Sequence, residues 1–311
     1  MTPGTSFAVV VVNHETRDHL RACLETVREE EPAELVVVDN ASRDGSAGMV
    51  RAGFPEVRIL ENADNPGYGA AANQGIAACR APHALLLNSD TRLRPGALAA
   101  LGRELDRHPR AAVIGPLLLN PDGTRQPSCF PFLTPFNVLA MNTYLNRVVR
   151  HAPVLRQRFR PVYSPVPAGE VPWVKGAALA IRREAFAAVE GFDEAYFLYA
   201  EEMDLCWRLR AAGWEVRFTP EAEVVHVEGA STGRLRPEMA VQLFASLARF
   251  HRLHSSRGSL ARLRWAVSLA MLEHIARDAV KSLWTRDPER RRALGDDLAV
   301  WRRVLQEGPV R

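Results

Sequence analysis

The chain has 311 residues, of which 47% are apolar and 24% are charged, with a formal net charge of +4 and a pI near 9.1. These fractions are those of a soluble globular protein and exclude a low-complexity chain. The length allows one large α/β domain with an appendage. The basic excess is arginine concentrated after Arg234. It fits nucleic acid, an anionic membrane surface or phosphorylated ligands alike.

The four cysteines lie far apart and form no CxxC pair, which argues against a zinc site or a disulfide framework. We expect reduced thiols. The N-terminus enters an apolar run almost at once, so no signal peptide is expected. The longest uncharged apolar run near the C-terminus, residues 265–272, is too short for a bilayer span, which needs about 20 residues. The sequence therefore predicts a cytoplasmic protein.

Short β-branched or leucine-rich runs alternate with helical patterns over the first 119 residues. This alternation predicts an α/β fold with a mostly parallel central sheet, flanked by helices and joined by right-handed crossovers. The predicted strands cover residues 7–12, 35–38, 57–60, 84–87 and 112–119. The predicted helices cover residues 18–28, 44–51, 70–78 and 95–108, with a turn at 66–69.

Periodicity weakens after Asn120, and prolines are frequent up to Pro172. We expect this segment to be either a disordered insert or a functional loop region. Later patterns predict a strand at 177–181, a short helix from 183, a helix at 201–212, strands at 215–218 and 222–227, and helices from 239 onward with the last opened at 287–288. We therefore expect a domain at 1–235, with halves at about 1–119 and 120–235, and a helical region at 236–311.

Polar side chains follow three of the predicted strands where each strand ends. They are Asn13, the pair Asp39-Asn40, and the triplet Asn88-Ser89-Asp90. Parallel sheets bind their ligands at this carboxyl edge. Asp39 could accept a hydrogen bond from a base or a ribose hydroxyl, and Asp90 could hold Mg²⁺ or Mn²⁺ against a diphosphate. Ordinary turn chemistry explains each motif at least as well when it is taken alone.

The stretch from Asn62 to Gly69, NADNPGYG, combines amides with glycines. The glycines could permit close approach to a ligand, and Asn65 could read a base edge. The stretch is neither a GxGxxG fingerprint nor a Walker loop. A plain strand-to-helix turn explains it about equally well.

Three acids open the predicted helix at 201–212. Glu201 and Asp204 share a helix face, whereas Glu202 points elsewhere. The helix N-terminus favours the ionised form, so an acid there would be ready to accept a proton, although acids also prefer first turns for capping alone. His226 ends a later β-branched run. Its neutral imidazole suits Mn²⁺ better than Mg²⁺, although a lone histidine is more often structural.

Taken in order, these stretches resemble the inverting family-2 glycosyltransferases of GT-A fold, particularly the rhamnosyltransferase-like bacterial members that build surface polysaccharides. The matching stretches are VVVNHETRDHLRACLETV, VVDNASRDGS, NADNPGYGAAANQGI, LLLNSD, WVKGAALAIRREAF, GFDEAYFLYAEEMDLCWRLRAAGW and VVHVEGAS. The resemblance implies a Rossmann-like GT-A fold. It also implies metal-dependent transfer, with inversion, of a sugar from a nucleotide-diphosphate sugar to a hydroxyl of a glycan or lipid-linked glycan.

The resemblance assigns roles residue by residue. The nucleotide contacts would be Val12, Asn13, Asp39, Asn40, Asn65, Gly67, Asn88 and Ser89. The metal ligands would be Asp90 and His226, and the sugar and acceptor pocket would include Trp173, Lys175 and Gly176. Glu202 takes the position of the catalytic base, with Glu201 and Asp204 supporting the base or positioning the acceptor.

Two positions depart from the family pattern. The DxD-like motif keeps only its last acid, Asp90, and the base position holds Glu202 instead of an aspartate. The extra methylene moves the carboxylate by on the order of an ångström, and a misplacement of that size can cost about 10²-fold in rate. Either the pocket is shaped for glutamate or the activity is weak.

Other functions leave different signals. A nucleotidyltransferase would carry a glycine-rich basic loop where residues 12–15 stand, a dehydrogenase would carry its fingerprint, and we expect no nucleic-acid partner. Two alternatives stay open: a nucleotide-sugar-binding protein with little or no transferase activity, and a polyprenyl-phosphate sugar transferase. The segment 122–128, DGTRQPS, is expected to line the acceptor channel.

The predicted helix over 259–284 has an apolar stripe formed by Leu260, Leu263, Val267, Met271, Ile275, Ala279 and Leu283. Basic residues lie off the stripe, so the helix could rest on the inner face of the cell membrane, where lipid-linked acceptors lie. It could instead dock on the catalytic domain or form a homo-oligomer interface. We favour these two packed arrangements over the membrane, because alanine and other small residues dilute the apolar face.

Overall fold

The computed structural model describes residues 7–151, 167–227 and 237–307. The chain divides into two units. The first unit is formed by Met1–Pro131, Val162–Phe197 and Glu201–Ser231. It holds the sheet and all the predicted site residues. The second unit is formed by Phe132–Pro161, Leu198–Ala200 and Thr232–Arg311. The elements described in the second unit are helices.

The strands are β1 (Phe7–Asn13), β2 (Glu34–Asn40), β3 (Arg58–Asn62), β4 (His83–Asn88), β5 (Thr91–Leu93), β6 (Ala111–Leu119), β7 (Cys129–Phe130), β8 (Gly169–Glu170), β9 (Trp173–Val174), β10 (Ala178–Arg182) and β11 (Glu215–His226). The helices of the first unit are α1 (Arg17–Glu29), α2 (Ser46–Gly53), α3 (Tyr68–Ala77), α4 (Ala97–Arg107), α7 (Arg183–Ala188) and α8 (Glu201–Ala211). Those of the second unit are α5 (Pro135–Met141), α6 (Leu145–His151), α9 (Pro237–His254), α10 (Arg257–Trp284) and α11 (Pro288–Glu307).

Nine strands of the described residues form one sheet in the order β3-β2-β1-β4-β10-β6-β11-β5, with β8 beside β11. Strands β3, β2, β1 and β4 run parallel to one another, and β11 runs parallel to β6. The predicted mostly parallel architecture is therefore confirmed. Strand β10 lies between β4 and β6 and is antiparallel to both. The alternation of strands and helices did not predict this reversal.

Consecutive side chains of β1 enter two different cores. Val9 and Val11 pack in the core that α1, α2 and α4 cover. Val10 and Val12 pack in the core that α3, α7 and α8 cover. Every residue of β1 is buried, as expected for a parallel strand covered on both faces. The carboxyl edge of the sheet is thereby left as the place where polar side chains can gather.

Three predicted boundaries were wrong. Helix α4 begins at Ala97 rather than Pro95, because Pro95 and Gly96 form a turn. Helix α3 begins at Tyr68, inside the predicted turn. The two strands predicted at 215–218 and 222–227 are one strand, β11, whose register shifts between Thr219 and Glu223. Pro220 is exposed at this irregularity, where a strand tolerates proline.

The segment predicted to be irregular, 120–172, contains regular structure in its described part. The turn at its start is confirmed, with Asp122 accepting hydrogen bonds from the backbone and hydroxyl of Thr124. Helices α5 and α6 follow, and Thr134 caps α5 through a reciprocal capping box with Asn137. Such a box is a sequence-level signal of a helix start that the high proline content obscured.

In the second unit, α10 packs against α5, α9 and α11. The predicted stripe of α10 is partly its docked face, since Leu263, Val267 and Met271 are fully or almost fully buried. His274 of α10 stacks on Trp301 of α11, with ring centroids 4.5 Å apart. Among the residues described, no helix combines the length and apolarity that crossing a bilayer requires.

All four cysteines are buried and free, as the spacing predicted. Burial raises the pKa of Cys23 and Cys206 to about 12 and the pKa of Cys79 and Cys129 to about 11. The thiols are therefore protonated at neutral pH and pack as small apolar groups.

Gly75 of α3 is expected to be essential for the packing of that helix on the sheet. A Cβ atom at this position would lie 2.3 Å from Cγ1 of Val10 and 3.0 Å from Cγ2 of Val38. We expect Gly75→Ala to lower the free energy of unfolding by about 1–3 kcal/mol, as overpacking does. Urea titration measures this value.

Gly48→Ala is the matched control. Gly48 also lies in a helix, and a Cβ atom there would meet nothing within 4 Å. The control should be stabilised by up to about 1 kcal/mol through helix propensity. Equal effects of the two substitutions would contradict the packing described for α3.

Candidate functional site

The ends of β1, β2 and β4 are joined by one hydrogen-bond network. Asn13 donates from Nδ2 to Oδ1 of Asp39 at 2.6 Å, and the backbone N–H of Ser42 donates to Oδ2 of Asp39 at 3.0 Å. The hydroxyl of Thr16 donates to Oδ1 of Asn13 at 2.7 Å and lies 2.6 Å from the hydroxyl of Ser89. The structure thus brings together Asn13, Asp39 and Ser89 as predicted. Asp39 keeps lone pairs that could accept from a ligand.

A second group of amides lies at the ends of β2 and β3. Nδ2 of Asn40 donates to Oδ1 of Asn65 and to the carbonyl of Gly67, both at 3.3 Å. Nδ2 of Asn62 donates to Oδ1 of Asn40 at 2.9 Å. These bonds fix the predicted nucleotide contacts Asn40 and Asn65 beside each other.

Gly67 is required by the protein's own chain. Its φ is +95°, and a Cβ atom would lie 2.5 Å from the carbonyl oxygen of Phe197. That carbonyl accepts from the backbone N–H of Tyr68 at 3.1 Å. The close approach expected of this glycine is therefore to Phe197, and any ligand contact has to come through its backbone.

Asp90 and His226 meet at the edge of the sheet. Oδ1 of Asp90 lies 3.5 Å from Nε2 of His226, and both side chains are buried. The pairing of β5 with β11 places His226 opposite Thr91, next to Asp90 in sequence. The backbone N–H of Val227 donates to the carbonyl of Asp90 at 2.9 Å and holds the two segments together.

Gln126 orients the imidazole of His226. Its Nε2 donates to the carbonyl of His226 at 2.7 Å, and its Oε1 lies 3.0 Å from Nδ1 of His226. An amide oxygen can only accept, so a neutral imidazole held by this bond would carry its proton on Nδ1 and present Nε2 toward Asp90. A partner that fixes the tautomer in this way is typical of a metal-binding histidine.

This pair fits a divalent cation. Two ligand atoms each about 2.1 Å from one cation lie about 3.0–3.5 Å apart when they subtend about 90–110°. No group of three or more His, Cys, Asp or Glu side chains among the described residues could hold a metal ion. The two protein ligands would therefore need oxygens from a diphosphate and water to complete the coordination.

Two buried acids begin α8. Tyr199 and Ala200, just before them, have φ of 69° and 64°. Two consecutive residues in the left-handed region are strained, a feature that clusters at functional sites. Glu201 is buried and Glu202 is partly buried. In the described part of the chain, Oε2 of each carboxyl is buried without a hydrogen-bond partner.

The protonation of these acids differs from the expected one. Burial raises the pKa of Glu201 well above its usual range, and the charge of Glu202 raises it further. Burial also raises the pKa of Glu202, but backbone N–H groups, including that of Gly176, and the charge of Lys175 oppose the rise. Desolvation outweighs the helix N-terminus, which was expected to favour ionisation. Both carboxyls therefore favour their protonated form more than an exposed glutamate does.

Tyr68 connects the two parts of the site. Its hydroxyl donates to the carbonyl of Gly176 at 2.8 Å, and the N–H of Gly176 lies 3.3 Å from Oε1 of Glu202. Burial raises the pKa of Tyr68, and the charges of Glu201, Glu202 and Asp90 raise it further. Tyr68 therefore lies within electrostatic reach of both the acid pair and Asp90.

The other predicted pocket residues lie on β9, which pairs antiparallel with β7, and on the residues between β9 and β10. Lys175 donates its backbone N–H to the carbonyl of Ser128 at 2.9 Å. Trp173 stacks on Phe130 at 4.7 Å and donates from Nε1 to the carbonyl of Pro131 at 2.8 Å. The N–H of Gly176 lies beside Glu202, and Lys175 precedes it in the chain. That these residues form a sugar and acceptor pocket stays a prediction.

Asp204 has partners of its own. Its Oδ2 accepts from Nε of Arg208 at 2.7 Å, and its Oδ1 accepts from the hydroxyl of Tyr196 at 3.3 Å. Arg208 also donates to the carbonyl of Val189 at 2.6 Å. These contacts anchor α8. Any support that Asp204 gives to Glu202 would therefore come from holding the helix in place.

Two residues of the site, Gln126 and Tyr68, were not predicted from the sequence. Gln126 lies in the segment 122–128, which was expected to line an acceptor channel, and nothing in its surroundings identified a partner for a histidine a hundred residues later. Tyr68 lies inside the quoted NPGYG stretch. An aromatic residue between two glycines was the available signal, but the glycines and Asn65 were considered instead.

Comparison with protein families gives two matches. The model described as "Glycosyl transferase family 2" matches residues 7–144, and the model described as "Glycosyl transferase family group 2" matches residues 83–286. Among curated proteins, an N-acetylglucosaminyl-diphospho-decaprenol L-rhamnosyltransferase of Mycobacterium tuberculosis is 33% identical over 288 residues, which are 86% of this chain and 91% of the relative.

Solved structures share the fold at low sequence identity. The mannosyltransferase PcManGT of Pyrobaculum calidifontis, in complex with GDP-Man and Mn²⁺, has a TM-score of 0.57 at 15% identity, covering 97% of this chain and 87% of that one. GalNAc-T7 with UDP, GalNAc and Mn²⁺ has a TM-score of 0.58 at 14% identity, covering 97% of this chain and 57% of that one. Together with the sheet order, these likenesses confirm the predicted GT-A fold.

Mn²⁺ is expected to bind weakly alone and much more tightly with nucleotide. The protein offers two side-chain ligands, Asp90 and His226, so the diphosphate has to provide the rest. Mn²⁺ titration followed by electron paramagnetic resonance, with and without UDP, GDP or dTDP, measures this coupling. We expect at least about a tenfold gain with the preferred nucleotide.

Variants of the two partners of His226 test the geometry. Asp90→Asn should abolish the gain, and Gln126→Ala should reduce it without removing a ligand, by about 10–100-fold in metal affinity as for other outer partners. Tight Mn²⁺ binding without nucleotide, or an unchanged affinity in Asp90→Asn, would contradict the site described here.

Glu201→Gln is expected to stabilise the fold at high pH. Because the folded-state pKa of Glu201 lies above the unfolded one, the free energy of unfolding falls as pH rises from the ordinary glutamate range toward the raised pKa. Glutamine does not ionise, so the variant should gain at least about 1 kcal/mol at about pH 8, and the gain should vanish toward about pH 4. Thermal unfolding across pH measures it, with the exposed Glu29→Gln as a control that should show no such trend.

Proposed function

This chain belongs to glycosyl transferase family 2, and we propose that it transfers a sugar from a nucleotide-diphosphate sugar to a hydroxyl of a lipid-linked glycan, with inversion at the anomeric carbon and with a divalent cation bound by Asp90 and His226. The family and the glycosyltransferase activity follow from the matches to the two family models and to the rhamnosyltransferase. The acceptor class, the inversion and the metal are the proposed parts. A role in surface polysaccharide synthesis is consistent with that acceptor class.

The position of Tyr68 is the observation that carries the proposal. Its hydroxyl is held by Gly176 beside Glu202, and its pKa responds to the charges of Glu201, Glu202 and Asp90. Gly176 contacts Glu202, and its neighbour Ala177 accepts from the N–H of Asn88 at 3.0 Å, two residues before Asp90. These contacts support one site for the candidate base and the candidate metal ligand. A donor whose diphosphate meets Asp90 would place its sugar toward Glu202.

The acceptor class is inferred from the relative that covers most of the chain. That relative's name states a diphospho-decaprenol acceptor bearing N-acetylglucosamine and a rhamnosyl donor group. The pair covers 86% of this chain and 91% of the relative, so the acceptor-binding half is included in the similarity. The network around Asp39 would hold the nucleoside of the donor.

The reaction is a single displacement. Glu202 accepts the proton of the acceptor hydroxyl while that oxygen forms its bond to the anomeric carbon from the face opposite the diphosphate. The bond between the anomeric carbon and the diphosphate oxygen breaks, and its electron pair leaves with the nucleoside diphosphate. A divalent cation at Asp90 and His226 would supply electrostatic stabilisation of the negative charge that develops on that leaving group.

Glu201 and Glu202 divide the roles. The raised pKa of Glu201 favours its protonated form, which would place no second negative charge beside the base. The raised pKa of Glu202 makes it a stronger base than an exposed glutamate. The N–H of Gly176 and the charge of Lys175 hold the carboxylate of Glu202, which supports a pocket shaped for glutamate.

Glu202→Gln is expected to abolish transfer, and Glu202→Asp to reduce it by about 10²-fold, because the shorter side chain withdraws the carboxylate by about an ångström. The assay is transfer from UDP-, GDP- and dTDP-sugars to a synthetic polyprenyl-diphosphate N-acetylglucosamine with Mn²⁺. For the wild type, kcat should fall as pH falls through the raised pKa of Glu202.

The exposed Glu29→Gln serves again as the control and should keep full activity. Near-normal turnover by Glu202→Gln would exclude Glu202 as the base. Faster transfer by Glu202→Asp would indicate that the pocket is shaped for aspartate. Tight donor binding without transfer to any hydroxyl acceptor would favour a nucleotide-sugar-binding protein instead.

A further inference from the structure

Helix α10 in the second unit is apolar on two faces, and only one of them is covered. Leu263, Ala266, Val267, Ala270 and Met271 are buried in the second unit. A helix that is apolar all round is normally buried all round. The second apolar face of α10 is therefore exposed, although apolar faces of helices are normally buried.

The uncovered face is a largely apolar stripe, here called the α10 stripe, and the partly exposed Glu273 lies within its arc. The stripe consists of Trp265, Leu269, Leu272, Ala276, Val280, Leu283 and Trp284, all exposed. These positions fall within an arc of about 120° and extend for about 28 Å along the helix. The tryptophans at its two ends are 78% and 84% exposed. Exposed apolar patches on this scale mark interaction surfaces.

The charges around the α10 stripe are mainly basic. The described side chains of the helix include four basic ones, Arg262, Arg264, Arg277 and Lys281, against two acids, Glu273 and Asp278. One of those acids, Asp278, is buried and lies within 3.5 Å of both Arg277 and Lys281. Arg262 and Arg264 are exposed at one end of the stripe, and Lys281 and Arg286 are exposed at the other.

A second copy of the chain does not fit this charge pattern. If two α10 stripes paired in parallel, Arg262 would lie beside its own counterpart. If they paired antiparallel, the end that carries Arg262 would lie beside the end that carries Arg286. Either arrangement brings like charges together, whereas an anionic surface complements both ends.

A lipid surface matches the other features as well. Interfacial helices combine leucine and tryptophan on one side with arginine and lysine at its margins. Tryptophan favours the boundary between headgroups and acyl chains, where its ring is apolar and its N–H finds a polar partner. Anionic headgroups attract each nearby basic side chain.

We propose that the α10 stripe binds the surface of an anionic lipid bilayer, with the helix axis parallel to the membrane plane. Trp265, Leu269 and Leu283 enter the headgroup boundary, and the basic side chains at the two ends contact lipid phosphates. The proposal does not depend on the proposed acceptor, since it rests on the second unit alone. It would also hold the enzyme at the surface where a lipid-linked acceptor lies.

The test is co-flotation of the full chain with vesicles, either of phosphatidylcholine alone or of phosphatidylcholine with phosphatidylglycerol. The wild type should float with the anionic vesicles and much less with the neutral ones. Leu269→Glu should reduce the partition coefficient about tenfold or more, because it removes an apolar contact and adds a charge that the anionic surface repels. Circular dichroism checks that each variant is folded.

Leu253→Glu is the matched control. Leu253 is a leucine of similar exposure, 51% against 56% for Leu269, and it lies on α9 outside the stripe. The control should bind as the wild type does. A second variant, Arg262→Gln with Arg264→Gln, should weaken binding to anionic vesicles by about tenfold and leave the small binding to neutral vesicles unchanged.

Three outcomes would overturn the proposal. One is no binding of the wild type to anionic vesicles. Another is an equal loss in Leu269→Glu and Leu253→Glu. The third is a wild-type dimer in analytical ultracentrifugation that Leu269→Glu dissociates, with no vesicle binding, which would assign the α10 stripe to a second copy. Transfer to a water-soluble acceptor is measured in the same variants and should be unchanged, because the α10 stripe takes no part in the reaction. This measurement separates membrane binding from the proposed function.

Discussion

The antiparallel pairing of β10 with β4 is the contact on which the site depends. It continues the sheet beyond the parallel strands and places the carbonyl of Ala177 within 3.0 Å of the N–H of Asn88. Gly176 is thereby fixed beside the end of β4, and through Gly176 the carboxylate of Glu202 and the hydroxyl of Tyr68 are positioned. One strand reversal thus joins the edge that would bind a nucleotide to the acids that would act on an acceptor.

The site also places three carboxyl groups, those of Asp90, Glu201 and Glu202, in buried or partly buried positions. Glu201, Glu202 and Asp90 all act on Tyr68, and burial makes each additional charge expensive. Two features limit this cost: the raised pKa of Glu201 favours its neutral form, and the N–H of Gly176 lies beside Glu202. A cation between Asp90 and His226 would lower the cost further.

Most of the first unit could be predicted from the sequence, because β1, β2 and β4 are continuous apolar runs whose ends carry Asn13, Asp39 and Asp90. Parallel strands bring such ends to one edge by geometry alone. The reversal of β10 could not be predicted, since the preceding segment is long enough to return the chain in either direction. Gln126 could not be predicted either, because its partner, His226, lies a hundred residues later in the chain. In α10, the predicted stripe through Leu263, Val267 and Met271 accounted for the helical pattern, and the exposed α10 stripe was not predicted.

The burial of the four thiols has a practical consequence. With pKa values of about 11 to 12, Cys23, Cys79, Cys129 and Cys206 are almost entirely in the thiol form at neutral pH and shielded from reagents. Mild oxidants and alkylating reagents should therefore not react with the four natural cysteines of the folded protein. A single cysteine introduced at an exposed position would then be a unique attachment point for a spin label or fluorophore, without prior removal of any natural residue.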